Sequence, residues 1–154
     1  ALDIAVDVGK STGELVRLWQ EGMGSGHASM TMRSDWREAA TRAAMDAGIK
    51  RFRWHGIWDD DMSTYLDGNV NMVNVFNSYD FLLSLGVRPL VEMSFMPEML
   101  ASNTSLTVMH YKGGISPPLD FQKLETFAST FVSALVTRYG ESEVNDWIFE
   151  VWNE

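Results

Sequence analysis

The stretch Trp147-Ile148-Phe149-Glu150-Val151-Trp152-Asn153-Glu154 decides how the rest of the chain is interpreted. Its β-branched and aromatic residues crowd into a short apolar run, which is typical of a buried strand. The run ends in an amide and a carboxylate, Asn153 and Glu154. In α/β folds the C-terminal ends of parallel strands open onto the loops that form the pocket, so polar side chains at that point are expected to carry chemistry.

The two terminal polar residues differ in what they can do. A carboxyl group held against aromatic side chains is poorly solvated as an anion, so its pKa rises and it can donate a proton near neutral pH. An adjacent amide can hydrogen-bond a substrate hydroxyl without titrating. Glu154 and Asn153 therefore predict a general acid beside a sugar-like ligand. A merely solvated glutamate at the edge of a sheet is the alternative.

Composition bounds the other possibilities. The 154 residues are enough for one domain with a sizeable core. Twelve Lys and Arg stand against 21 Asp and Glu, a net charge of −9 without a basic run, which argues against nucleic-acid binding. The absence of cysteine excludes disulfides, Cys-based metal sites and thiol nucleophiles. No apolar run reaches membrane-spanning length and no signal peptide is evident, so the chain is expected to be cytoplasmic or secreted.

Alternating helical and strand patterns predict a parallel sheet. Helices are expected over residues 34–47, 73–85 and 120–139, each followed by a glycine, and strands over 51–55, 87–95 and 147–152. Such repeats fit either a complete small doubly wound domain or the first half of a (β/α)8 TIM barrel with about four βα units. We prefer the half barrel, because the chain stops on a core strand with no helix after it. The connection over 96–119 is long enough to predict a functional loop.

The N-terminal part is less regular. Residues 3–8 alternate polar and apolar side chains, which predicts a half-exposed strand that pairs in a separate antiparallel sheet. Residues 15–19 form a second candidate strand. The glycine cluster that follows lacks the third spaced glycine of a dinucleotide-binding loop, and is interpreted as a corner that places His27 at a strand end.

His27, His55 and Glu154 all fall at predicted strand C-termini, as the catalytic face of a barrel requires. Gly56 would let a ligand approach the backbone next to His55. For both histidines a hydrogen-bonded structural role is the alternative.

Other acidic residues are given structural interpretations. Residues 59–61 resemble a metal-binding loop, but the further oxygen ligands are missing, and a solvated turn with Asp59 or Asp60 capping a short helix is preferred. No metal and no cofactor are predicted. Glu150 is interpreted as a buried carboxylate paired with an arginine, namely Arg51, Arg53 or Arg88. Neither Glu92 nor Glu150 is an obvious catalytic partner for Glu154.

Four segments in this order resemble glycoside hydrolase family 39, which includes β-xylosidases and α-L-iduronidases. The segments are Arg53-Trp54-His55-Gly56-Ile57-Trp58-Asp59-Asp60-Asp61-Met62, Val91-Glu92-Met93-Ser94-Phe95-Met96-Pro97, Tyr111-Lys112-Gly113-Gly114-Ile115-Ser116-Pro117-Pro118 and Phe149-Glu150-Val151-Trp152-Asn153-Glu154. The resemblance covers residues 15–154. Its third segment is closer to the xylosidase branch than to the iduronidases.

The resemblance implies roles for individual residues and a carbohydrate substrate. Glu154 matches the general acid/base, Asn153 the contact to the sugar 2-hydroxyl, His55 a histidine that binds sugar hydroxyls, and His27, less closely, another subsite contact. The family's accessory β-sandwich would explain residues 1–13 as an accessory strand and linker ahead of the half barrel at 14–154.

One expected part is missing from the sequence. The family is retaining and needs a second carboxylate as nucleophile, from a strand late in the barrel. These residues are therefore expected to be part of a longer protein and, alone, poorly folded and inactive. The resemblance implies that the whole enzyme is a retaining glycosidase that cleaves terminal glycosidic bonds, and a β-D-xylosidase is the preferred activity. The alternatives are an α-L-iduronidase-like or other family 39 glycosidase, a non-catalytic carbohydrate-binding pseudo-enzyme and a small nucleotide-binding domain, the last disfavoured by the missing phosphate loop.

Overall fold

A computed structural model of the chain describes residues 2–153. In chain order its strands are β1 (Met23–His27), β2 (Arg51–His55), β3 (Tyr65–Leu66), β4 (Asn69–Val70), β5 (Arg88–Glu92), β6 (Thr107–Val108), β7 (Gly113–Gly114) and β8 (Ile148–Glu150). The helices are α1 (Ser34–Ala47), α2 (Val73–Ser84), α3 (Phe121–Tyr139) and α4 (Glu141–Val144). Short 3₁₀ turns span Leu18–Gln20, Ala28–Met32, Asp60–Met62 and Glu98–Leu100.

Four strands form one parallel sheet in the order β1-β2-β5-β8. The strands are joined by connections that carry α1, α2 and α3, the repeated βα arrangement expected from the hydrophobic patterning. This architecture confirms the prediction of the first half of a (β/α)8 barrel. The smaller pairs β3-β4 and β6-β7 are antiparallel hairpins within two of the connections.

Alternation along the strands separates the core from the site. In β2, Phe52 and Trp54 are buried, whereas Arg51, Arg53 and His55 are only partly covered, because successive side chains point to opposite faces of a strand. The buried face joins a core with the inward sides of the helices, including Tyr79 and Leu82 of α2 and Phe127, Phe131 and Leu135 of α3. The face that carries Arg53 and His55 is therefore left for polar groups.

The first strand lies later in the chain than the hydrophobic pattern predicts. Residues 15–17 form no strand, and Leu18–Gln20 is a 3₁₀ turn whose leucine is exposed, so the strand predicted over 15–19 is wrong. The strand is instead the glycine-bearing segment β1, which is held by pairing with β2 despite its low intrinsic strand propensity. His27 nevertheless ends this strand, as predicted.

The N-terminal residues are extended over the surface. Within residues 2–8 the described backbone forms no strand, and Leu2, Ile4, Val6 and Val8 are between 78% and 98% exposed. The strand predicted over 3–8 is therefore not formed in this chain by itself, since a strand of this kind needs a partner strand for its backbone groups. Its assignment to an accessory sheet, and a domain boundary near residue 13, stay predictions.

The long connection after β5 is folded back on itself. It contains the turn Glu98–Leu100 and the β6-β7 hairpin, and Met96 N–H donates to the carbonyl of Gly114 at 2.9 Å. Leu119 N–H bonds to the carbonyl of Leu100, which fixes the end of the connection against its start. Among residues 2–153 no helix is both long and apolar enough to cross a membrane.

Candidate active site

The C-terminal ends of the four parallel strands lie at one edge of the sheet. His27 of β1 is in register with His55 of β2, and Glu92 of β5 is in register with Glu150 of β8. Two imidazoles and two carboxylates therefore meet at the edge where a barrel places its chemistry. Asn153 follows β8 at the same edge, three residues after Glu150.

An arginine joins the two strand-end carboxylates. The guanidinium of Arg53 donates to both oxygens of Glu150, at 2.7 Å from Nε and 3.0 Å from Nη2. The same Nη2 lies 2.6 Å from Oε2 of Glu92, whose side chain is fully buried. The hydrogen bond from Arg53 holds the pKa of Glu150 below its usual range. The expected pairing of Glu150 with an arginine is confirmed, with Arg53 as the partner, but the carboxylate is not buried, because its side chain is 31% exposed.

His55 sits beside both Glu92 and Asn153. Its Nδ1 is 2.8 Å from Oε2 of Glu92 and 3.3 Å from Nδ2 of Asn153. Its ring also stacks on Phe95, with the centroids 6.3 Å apart. The structure thus brings together His55 and Asn153, two residues 98 positions apart that the sequence predicts to share a site. Glu154 lies outside the described residues.

His27 is almost fully buried, and other side chains of the protein hold its ring in place. Only 5% of the residue is exposed, and its Nε2 bonds to both oxygens of Asp61 at 3.0 and 2.9 Å. The ring of Tyr111 stacks on it at 3.9 Å between centroids. Gly56 packs against this ring, since a Cβ at that position would lie 2.5 Å from Cε1 of His27. The geometry favours the structural alternative for His27, and its contact with substrate stays a prediction.

The acidic turn at 59–61 is partly as predicted. Asp59 caps the turn Asp60–Met62 by accepting from the backbone N–H of Asp60, which confirms the capping role. The turn is not simply solvated, because Asp59 is only 5% exposed and burial raises its pKa to about 6. Burial alone would also raise the pKa of Asp61, but hydrogen bonds from His27 and Ser29 bring it below its usual value.

Within the described part of the chain, one set of side chains could act as ligands to a metal ion, and two of its members lie on this acidic turn. His27, Asp59 and Asp61 each contribute an atom, and these atoms lie within 4.8 Å of one another. Nε2 of His27 already bonds to Asp61, whereas Oδ2 of Asp59 is buried and has no hydrogen-bond partner among the described residues.

Two cavities flank the strand ends. One of about 330 Å³ is lined by both histidines together with Asp61, His110 and Tyr111. Another of about 720 Å³ is mostly apolar and runs between α3 and the residues after β8, with Trp58, Phe121 and Trp152 in its wall.

Three contributors to the site were not found from the sequence as functional residues. Glu92, Tyr111 and Asp61 each touch a predicted site histidine. Glu92 falls inside the strand predicted over 87–95, whereas β5 ends at Glu92 in the structure, so the earlier end of this strand is what the sequence did not show. For Tyr111 and Asp61 no local pattern indicates the contact, since both lie in loops.

A half barrel with amide and imidazole groups at its strand ends defines the class of α/β-barrel enzymes that act at that face. The chain belongs to glycosyl hydrolase family 39, whose model matches residues 2–154. It is 39% identical to a β-xylosidase of Caldicellulosiruptor saccharolyticus, over 99% of this chain and 32% of the relative. It is 33% identical to a β-xylosidase of Geobacillus stearothermophilus, over 88% of this chain and 28% of the relative.

A solved structure gives the same result. The family 39 β-xylosidase of Caulobacter crescentus superposes with a TM-score of 0.83 at 30% identity, covering 94% of this chain and 33% of that enzyme. The chain thus spans about a third of the length of these relatives. The family membership predicted from the four sequence segments is confirmed.

Proposed function

We propose that the whole protein containing these residues is a retaining β-D-xylosidase that removes terminal sugars from xylo-oligosaccharides or related glycosides. The observation that carries the proposal is the contact of Asn153 with His55 at the C-terminal edge of a family 39 half barrel. The β-xylosidase relatives support the choice of sugar. The whole enzyme would need a second carboxylate from the remainder of the barrel.

In this proposal Glu154 is the general acid/base. It protonates the glycosidic oxygen while the second carboxylate attacks the anomeric carbon, and it then deprotonates the water that releases the sugar. Asn153 hydrogen-bonds the sugar 2-hydroxyl, a contact that strengthens in the oxocarbenium-like transition state and so accelerates the reaction. His55 binds a further sugar hydroxyl.

The contacts of Glu92 and Glu150 support a nucleophile that comes from another part of the whole protein. Arg53 contacts both Glu92 and Glu150, and each carboxylate is oriented toward that guanidinium. A retaining enzyme needs a carboxylate free to form a covalent bond, about 5–5.5 Å from the acid. Neither strand glutamate is free in this sense, so the nucleophile is assigned to the part of the barrel that follows residue 154.

The test is Glu154→Gln in the whole protein, assayed on aryl β-xylosides with good and poor leaving groups. Loss of the acid should slow the first step on poor leaving groups by about 10²- to 10⁴-fold. The first step on activated aryl xylosides should be nearly unaffected. Glu141→Gln, at an exposed position on α4, is the matched control and should behave as wild type.

Other outcomes would identify the alternatives. Equal losses on both leaving-group classes would contradict an acid role for Glu154. A wild-type protein that hydrolyses aryl α-L-iduronides but not aryl β-xylosides would be iduronidase-like. A protein that binds xylo-oligosaccharides without hydrolysing any glycoside would be a carbohydrate-binding pseudo-enzyme.

A further inference from the structure

Glu92 is the most deeply buried carboxylate at the strand ends. Its side chain is inaccessible to solvent, although it ends a strand at the open edge of the sheet. Burying a charge is costly unless paired groups surround it. Three polar side chains among the described residues contact Glu92, because Oε2 lies beside Arg53 and His55 and Oε1 accepts a hydrogen bond from the hydroxyl of Ser94.

The contact with His55 has a chemical consequence. Oε2 of Glu92 lies 2.8 Å from Nδ1 of the ring, at ion-pair distance although without the alignment of a hydrogen bond. A carboxylate oxygen this close favours a proton on Nδ1, because two lone pairs would repel each other. With the proton on Nδ1, the neutral ring has its lone pair on Nε2, which can accept a hydrogen bond from a hydroxyl.

The two carboxylates that share Arg53 differ in how they reach His55. Both oxygens of Glu150 accept hydrogen bonds from Arg53, and the side chain of Glu150 is 31% exposed. Glu150 and His55 interact through charge. Glu92 instead touches the imidazole directly and is fixed from the other side by Ser94. Of these two carboxylates, Glu92 is therefore the one placed to set both the orientation and the protonated nitrogen of the ring.

We propose that Glu92 is a positioning residue, which orients His55 and keeps its Nε2 as an acceptor for a substrate hydroxyl. This inference rests on the proposed glycosidase function. It adds to that function a buried carboxylate that acts on the substrate only through the histidine. A proton on Nδ1 also requires Asn153, whose amide lies 3.3 Å from this atom, to turn its oxygen rather than its Nδ2 toward the ring, because an amide nitrogen donates and cannot accept.

The experiment uses the whole enzyme and a double-mutant cycle. Glu92→Gln should lower kcat/KM on an aryl β-xyloside by about 10- to 100-fold, since misplacing a substrate-binding group has effects of this size. In a His55→Ala background the same substitution should cost less than about threefold, because the group through which it acts is gone. A purely structural role would reduce activity by the same factor in both backgrounds.

Glu150→Gln is the matched control, since it removes the other carboxylate bound to Arg53 by the same chemical change. It should lower kcat/KM by less than about fivefold, the range expected for a partly exposed ion pair. The proposal is overturned if Glu150→Gln costs as much as Glu92→Gln, or if the losses from Glu92→Gln and His55→Ala multiply. A wild-type enzyme inactive on every aryl glycoside would instead contradict the proposed function.

A second variant covers the case in which Glu92→Gln fails to fold. Ser94→Ala keeps the charge of Glu92 but removes the hydroxyl that holds Oε1. It should lower kcat/KM by about 3- to 10-fold, the effect of one lost hydrogen bond, and this loss should disappear in the His55→Ala background. Equal losses with and without His55 would overturn the proposal.

Discussion

Asp59 is the residue whose burial has the clearest measurable consequence. Its carboxyl group has a pKa of about 6 against an ordinary 3.8, mainly because burial disfavours the anion. Folding therefore favours its protonated form, and the ionised form costs stability that grows as pH rises from about 4 to about 6. The difference in pKa corresponds to a cost of about 3 kcal/mol at neutral pH.

We therefore predict that Asp59→Asn stabilises the whole protein at neutral pH. Asparagine keeps the oxygen that caps the turn at Asp60 and carries no charge. The midpoint of thermal unfolding should rise at about pH 7.5 and match wild type near pH 3, below both pKa values, where Asp59 is largely protonated in the folded and the unfolded state. A lower midpoint at pH 7.5 would show that the anion of Asp59 is stabilised instead.

The neighbouring carboxylate provides a control of opposite sign. The pKa of Asp61 is lowered, so its ionised form contributes stability that is present at neutral pH and lost as pH falls through its folded pKa. Asp61→Asn should therefore lower the midpoint at neutral pH, and this difference should shrink in acid. Opposite signs two residues apart would separate local electrostatics from a general effect of charge.

At the scale of elements, the β6-β7 hairpin is seated on the sheet through a glycine. Gly113 is buried, and a Cβ there would lie 2.3–2.7 Å from ring atoms of Phe95. Phe95 is fully buried and has no room to move away. The hairpin connects to Tyr111, which stacks on His27, so the fit at Gly113 affects the cover of the candidate site.

In the whole protein, Gly113→Ala should loosen the β6-β7 hairpin while leaving the parallel sheet folded. We expect trypsin to cleave after the exposed Lys112 at least about tenfold faster, because the local opening that proteolysis requires becomes more frequent. Gly22→Ala is the control, since a Cβ at that position meets no atom within 4 Å. Unchanged cleavage at Lys112 would mean that the hairpin tolerates the extra methyl group.

The same scale shows what the sequence predicts well. The strands that carry aromatic or β-branched residues and the helices closed by Gly48 and Gly140 lie where their patterns indicate. The first strand was missed because β1 consists largely of small residues, whose pairing with β2 depends on tertiary contacts.

The site was predictable to the extent that strand ends are predictable. His55 ends β2 and Asn153 follows β8 at the same edge of one parallel sheet, so their contact is a consequence of topology that the βα repeat implies. The contact of Glu92 with Arg53 and His55 depends on side-chain directions across neighbouring strands. Those directions depend on strand register, which the spacing along the chain does not determine.

At the scale of the whole chain, the described residues contain a parallel sheet with two unpaired edges. β1 and β8 each pair on one side only among the described residues, so each presents a row of backbone groups that can bind another strand. Beside β8 lies the apolar cavity between α3 and Trp152. In the relatives, about two thirds of the chain lies beyond the part matched here, and we infer that this remainder covers both surfaces.

We therefore predict that the 154 residues expressed by themselves are poorly folded, self-associating and inactive. Exposed strand edges and apolar surface promote association, and the missing contacts remove the cooperativity of unfolding. Light scattering after size exclusion should show oligomers or aggregates, and thermal unfolding should be broad, whereas the whole protein should unfold sharply. Co-expression with the remaining chain should restore solubility and activity on aryl β-xylosides. A monomeric fragment with a sharp transition would show instead that the half barrel is stable without the rest.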